Sequence, residues 1–273
     1  MPTSNRQTLL PVDGHVHLHP GVDLGSALDA AIVHARRASR ERPSVEPDRI
    51  VLCLVDPEEG ARFSALRRRA GEADAGDWRL CTTEESGSLL AERNDGARAA
   101  VVAGRQIRTS DGFEVLLLAS DRPLSSGEPL ELTVRRGVAE DDVVVLAWGF
   151  GKWWFRRGRR LRSLLRSPAG ERVFLGDNAG RLPCGPHLGI LREARRRSVP
   201  ILPGSDPLPL PGHEQRVGQY GFLVSGFDLT HRPAAMLRSR IHSLDAQPCR
   251  YGTLDSPHRA LLSQLQLRLP RRR

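Results

Sequence analysis

Apolar residues along the chain fall into two alternating kinds of run. Short, continuous, β-branched runs predict strands over 9–18, 50–55, 99–107, 115–119, 143–148, 172–175, 199–202 and 220–225. Runs without polar breaks are what strands buried on both faces require. Longer stretches with helical periodicity predict helices over 24–39, 58–70, 130–139, 158–165, 186–197 and 233–242, and a C-terminal one over 256–269. Strands alternating with helices predict a largely parallel sheet with crossover helices, open or closed into a barrel. Ser110-Asp111-Gly112, set between two apolar runs, predicts one antiparallel hairpin inside that alternation.

A chain of 273 residues suits one large α/β domain, and neither a repeat nor a low-complexity linker divides it. The pattern places the core at about 9–230 and a helical extension at about 231–273. With 39% hydrophobic and 27% charged residues the composition is globular rather than disordered. No stretch approaches the ~18 apolar residues of a membrane span. The first eleven residues lack the pattern of a signal peptide. Cys53, Cys81, Cys184 and Cys249 are scattered without zinc-knuckle spacing, which predicts reduced thiols in a cytoplasmic protein.

The net charge of +9 first suggests nucleic acid. Its 41 basic residues, of which Lys152 is the only lysine, recur on helices along the whole chain and are interleaved with acids. No recognised nucleic-acid motif accompanies them. The sequence therefore predicts an anionic small-molecule substrate and no specific nucleic-acid partner.

Four segments carry candidate chemistry. In Val12-Asp13-Gly14-His15-Val16-His17-Leu18-His19 the histidines alternate, so a strand would turn all three to one side, where imidazoles can share a metal. In Gly204-Ser205-Asp206 a buried strand empties into a tight turn at its C-terminal end, where parallel α/β folds bind ligands. Gly176-Asp177-Asn178-Ala179-Gly180-Arg181 repeats that pattern; its Asp177 and Asn178 suit a metal or substrate hydroxyls and Arg181 an anion, with a plain turn the alternative. From Lys152 to Arg166 there are seven basic residues and no acid, and Trp148, Trp153 and Trp154 lie in or beside this stretch. Lys152 and Arg156 are its candidates for holding phosphate, and single-stranded nucleic acid or anionic lipid could use the same patch.

At these residues the chain resembles the PHP superfamily, the polymerase-and-histidinol-phosphatase type of metal-dependent phosphoesterase, and more distantly the amidohydrolases. Asp13-Gly14-His15-Val16-His17 resembles the opening His-x-His motif, and Gly204-Ser205-Asp206-Pro207-Leu208 the closing Gly-Ser-Asp-x-His. Leu54-Val55-Asp56 falls where the family has Thr-Asp-His, and Gly104-Arg105-Gln106 followed by Gly112-Phe113-Glu114-Val115-Leu116-Leu117 resembles its Gly-x-Glu hairpin. The order agrees over most of residues 10–210. The resemblance implies a distorted (β/α) TIM-like barrel of PHP type, with one hairpin insertion and a C-terminal helix. It implies metal ligation by His15, His17 and Asp206; with a divalent ion (Zn, Mn or Fe) there, His19 or Asp177 is the candidate general acid or base. Lys152, Arg156, Asn178 and Arg181 would then bind a phosphorylated substrate such as a sugar phosphate. Gln106, Leu208 and Pro57 depart from the family's ligand positions. They leave open a barrel that binds a phosphorylated ligand without turnover.

Overall fold

The computed structural model describes residues 8–57, 61–71 and 73–268. Twelve strands form one mixed sheet: β1 (Leu9–Val16), β2 (Arg49–Asp56), β3 (Ala73–Ala75), β4 (Trp78–Thr82), β5 (Ser88–Arg93), β6 (Arg98–Arg108), β7 (Glu114–Leu118), β8 (Val143–Ala147), β9 (Val173–Asn178), β10 (Ile201–Gly204), β11 (Tyr220–Ser225) and β12 (Arg250–Gly252). The helices among the described residues are α1 (Leu24–Glu41), α2 (Ala61–Arg68), α3 (Leu130–Ala139), α4 (Phe155–Leu165), α5 (His187–Arg196), α6 (Pro233–His242) and α7 (Pro257–Arg268). Residues 58–60, where the second predicted helix begins, and 269–273 lie outside the described residues.

Local chemistry sets the elements. α1 opens on Asp23, whose side chain accepts the Ser26 backbone N–H at 2.7 Å, and Pro43 follows its end. Leu24, Ala27, Leu28, Ala31, Ile32, Ala35 and Ala38 recur at helical spacing and are buried against the sheet. β6 is long because it serves two partners along one edge: Arg98–Val102 pair with β5 and Gly104–Arg108 with β7, all antiparallel, while β2 runs parallel on its other edge. Gly112, at φ 82°, turns the predicted hairpin.

The sheet runs β10-β9-β8-β7-β6-β2-β1-β11-β12 and curls until β10 reaches β1 and β11. Val12, Val51, Val55, Val102, Leu116, Val145, Phe174 and Phe222 fill the interior. α6 inserts Ala234, Leu237 and Ile241 into the same cluster and stops one end of the barrel. Across the seam, Asp206 donates its backbone N–H to the His15 carbonyl at 2.8 Å. That approach requires glycine. A Cβ on Gly204 would lie 2.4 Å from the His15 nitrogen, and one on Gly14 would lie 2.8 Å from the Pro203 carbonyl oxygen. Gly204→Ala should therefore cost about 1–3 kcal/mol by overpacking backbone against backbone, read as a lower urea midpoint. An unchanged midpoint would mean that the seam can open without penalty.

The nearly closed α/β barrel, its hairpin and its C-terminal helix agree with the fold expected. Two features differ. The sheet is mixed, since β7 pairs antiparallel with β8 as well as with β6, and β11 antiparallel with β1. A ribbon of β3, β4 and β5, absent from the predicted elements, extends the sheet beside β6.

Candidate metal centre

His15 is the penultimate residue of β1, within an irregularity between Asp13 and Val16 in the pairing with β2, and His17 and His19 follow beyond the strand. The His15 and His17 Nε2 atoms come within 3.0 Å of each other. Asp206 Oδ1 lies 3.6 Å from the first and 3.8 Å from the second. Among the described residues this is the one cluster of three such ligand atoms. Donors at zinc-ligand distances around a tetrahedral ion stand about 3.3 Å apart, so the three atoms match a divalent ion's spacing. Two imidazole nitrogens and a carboxylate also suit Zn, Mn or Fe.

The turn carrying Asp206 is held from behind. Asp206 sits at φ 48°, a conformation sparsely occupied by residues other than glycine. Asn178 holds its carboxylate, donating from Nδ2 to Oδ2 at 2.6 Å. Beneath, the fully buried Asp13 carboxylate accepts the backbone N–H groups of His15 (3.2 Å), Ser205 (2.8 Å) and Gly218 (2.8 Å), and the Ser205 hydroxyl. Burial pushes the Asp13 carboxyl up to about 7, against the opposing pull of those hydrogen bonds. Burial, reinforced by His15, lowers the His17 pKa, which favours the neutral imidazole that binds metals.

A cavity of about 340 Å³ opens over this cluster, lined by His17, Gln106, Glu114, Lys152 and Asn178, among others. His19 lines it too, with Nε2 2.9 Å from the Pro207 carbonyl. Lys152 pairs with Glu114. Gln106 and Leu208, two of the three departures from the family pattern, both face this cavity. Arg108 and Glu114 also stand in its wall; Glu114 belongs to the hairpin segment of the resemblance without an expected role, Arg108 to no motif, and the two sit opposite each other across the hairpin. α7 overhangs the mouth through Ala260, Ser263, Gln264 and Leu267. A larger cavity of about 850 Å³ lies between α1 and α7 and shares Arg216, Asp255 and Ser263 with the first, but holds no such ligand cluster.

Other sequence candidates lie elsewhere. Asp177 is buried, with Arg181 Nε at 2.5 Å on one oxygen and the Tyr220 hydroxyl at 3.0 Å on the other. Neither Asp177 nor Arg181 lines the cavity. Arg156 is exposed on α4, also outside the lining. Asp56 is buried and accepts the Phe63 backbone N–H at 2.8 Å, so it fastens α2.

No helix is long and apolar enough to cross a membrane among the described residues. No protein-family model matches the sequence, and no curated protein matches it. Solved structures do. The chain is similar to PsfC from Pseudomonas syringae PB-5123 (17% identity, TM-score 0.54, covering 95% of this chain and 98% of that one). It is also similar to the novel lesion-specific endonuclease PfuEndoQ from Pyrococcus furiosus (13% identity, TM-score 0.53, 92% of this chain and 60% of that one). The second likeness corrects one expectation. A lesion-specific endonuclease acts on nucleic acid, so diffuse charge and a missing motif are no ground for setting that partner aside on this fold. The barrel is thus a fold shared with these two structures, one of them an endonuclease, and it gathers His15, His17 and Asp206 at one rim.

Proposed function

We propose that the chain is a divergent PHP-type, metal-dependent phosphoester hydrolase. The observation that carries this reading is the convergence of His15, His17 and Asp206, with His17 and Asp206 lining a cavity that Lys152 also lines. These three residues would hold one divalent ion. Such an ion, when bound, polarises a phosphoryl oxygen and lowers the pKa of water beside it.

The chain's own residues supply the rest. Lys152 and Arg108 hold the anionic oxygens, Lys152 exchanging Glu114 for the substrate. His19 stands at the cavity wall, where an imidazole can give or take a proton at a leaving oxygen. Asn178 fixes the Asp206 carboxylate. Asp177 and Arg181, expected from sequence to act on substrate, serve in this reading to brace β9 by neutralising each other.

A panel of mono- and diesters, including sugar phosphates and nucleotides, tests the proposal with Zn, Mn or Fe added in turn. Release of phosphate or of a monoester that stops on chelation is the expected result. Lys152→Ala should raise KM about 10- to 100-fold, the worth of a charged hydrogen bond, with a smaller effect on kcat. Gln106 and Leu208 at two expected ligand positions favour a second reading, binding without turnover. Saturable binding of these compounds with no product under any metal would select it over hydrolysis.

A further inference from the structure

The loop between β8 and α4, together with the first residue of α4, is built around an unusual placement of aromatic rings. Trp153 turns inward: it is 1% exposed, and its Nε1 donates to the Ala147 carbonyl at 3.1 Å. Phe155 turns outward and is 82% exposed, although a bulky apolar side chain gains nothing from water. Its backbone sits at φ 51°, a genuine outlier for such a residue. Strain of this kind clusters at ligand clamps.

The exposed ring ends a series that starts inside the metal-centre cavity. Trp148 and Phe150 belong to the cavity wall. Phe150 and Trp154 have ring centroids 5.3 Å apart at 51°, and Trp154 and Phe155 6.3 Å apart at 87°. Cations flank the series: Lys152 in the cavity, exposed Arg156 beside Phe155, and Arg268 with its guanidinium 5.7 Å above the Phe150 ring. Rings that step outward from a phosphoester cavity, with cations alongside, match a flat π-faced group joined to a phosphate. A sugar phosphate would leave them unused. A lipid surface would not need the series to begin inside the cavity.

We propose that Phe150, Trp154 and Phe155 form a stacking platform for a nucleobase of the substrate, so that the phosphoester entering the cavity belongs to a nucleotide or to an unpaired stretch of nucleic acid. This rests on the phosphoester reading above but concerns binding alone.

The test therefore uses the whole chain freed of metal, at fixed salt, with tryptophan fluorescence and the anisotropy of a labelled strand as readouts. The probes are thymidine 5′-monophosphate, a 5′-phosphorylated oligothymidylate of eight nucleotides, and ribose 5-phosphate, which has no base. Both thymidine probes should bind saturably and quench, and ribose 5-phosphate should bind at least tenfold more weakly. Similar affinities for the monophosphate and the octamer would assign a single nucleotide; an octamer bound tenfold tighter would assign a strand. Phe155→Ala should weaken the thymidine probes about tenfold, the loss of one stacked base, and Phe155→Tyr should restore them. The slope of binding against salt should stay as in the parent for Phe155→Ala, because no phosphate contact is lost.

Equal binding by Phe155→Ala and the parent would overturn the proposal, as would equal binding of ribose 5-phosphate or no saturable binding of either thymidine probe. Loss of binding to phosphatidylglycerol vesicles in Phe155→Ala, with the octamer unaffected, would assign the loop to a membrane instead. A protein inactive with every metal leaves these binding results standing, and an active hydrolase indifferent to Phe155 rejects the platform alone.

Discussion

His17→Ala should lose its divalent metal at concentrations that saturate the parent, and its metal-dependent hydrolysis with it. Among the described residues three donors converge, so removing one leaves a single imidazole and a carboxylate. Losing even a supporting hydrogen bond behind a metal ligand costs about 10- to 100-fold in affinity or activity. Losing the ligand itself should cost at least the upper end of that range. His17 is the better histidine to change, because its side chain is 13% exposed against 6% for His15. Its removal should leave the melting temperature of the metal-free protein within a few degrees of the parent's. Metal titration and product release on the same preparation check both halves. Full metal affinity in the variant would remove His17 from the site.

Asp13→Ala should be the most destabilising substitution near the site. The carboxylate joins β1 to the Asp206 turn and to the segment before β11, through the backbone of His15, Ser205 and Gly218. Alanine would strand those buried N–H groups, together with the Ser205 hydroxyl. Each unsatisfied donor costs about 1–3 kcal/mol. Burial of the carboxyl already opposes its charged form, which offsets part of the loss. A net cost of about 3–5 kcal/mol is expected, near the top of the range for single substitutions. Asp13→Asn keeps acceptor oxygen for some of these donors and should cost less. Urea unfolding of both variants measures it. A loss below about 1 kcal/mol for alanine would mean that water replaces the carboxylate, and that the turn is held by other contacts.

The barrel strands were legible because strands buried on both faces must be apolar without interruption, as in β2 and β8. Strand direction was not. An apolar run is the same read either way, so the antiparallel pairing of β7 with β8 across α3 left no mark on composition. The β4–β5 ribbon was missed for a different reason. In β4 buried Trp78 and Leu80 alternate with exposed Arg79, a short and weak period-two signal, and β5 ends in Glu92 and Arg93.

At the site, His15, His17 and Asp206 could be found because ligand-type residues stood directly at predicted strand ends. Asp177 and Asn178 show where that reasoning stops. Successive residues of a strand face opposite sides, so one of the pair turns toward the cavity and the other away. Because β9 is buried along its whole length, its sequence does not say which. The structure gives the cavity to Asn178 and turns Asp177 to Arg181 and Tyr220. Arg108 belongs to no motif, and Glu114, though inside the hairpin segment of the resemblance, needed the hairpin register before its side could be read.

Metal-dependent chemistry here requires one ion in one place. Anomalous diffraction at the metal edge, from crystals of the full chain grown with Zn or Mn, tests this directly. One strong peak within bonding distance of His15 Nε2, His17 Nε2 and an Asp206 carboxylate oxygen is the expected result. Ordered side chains at these three positions with no peak between them, or a peak only on other residues, would contradict it.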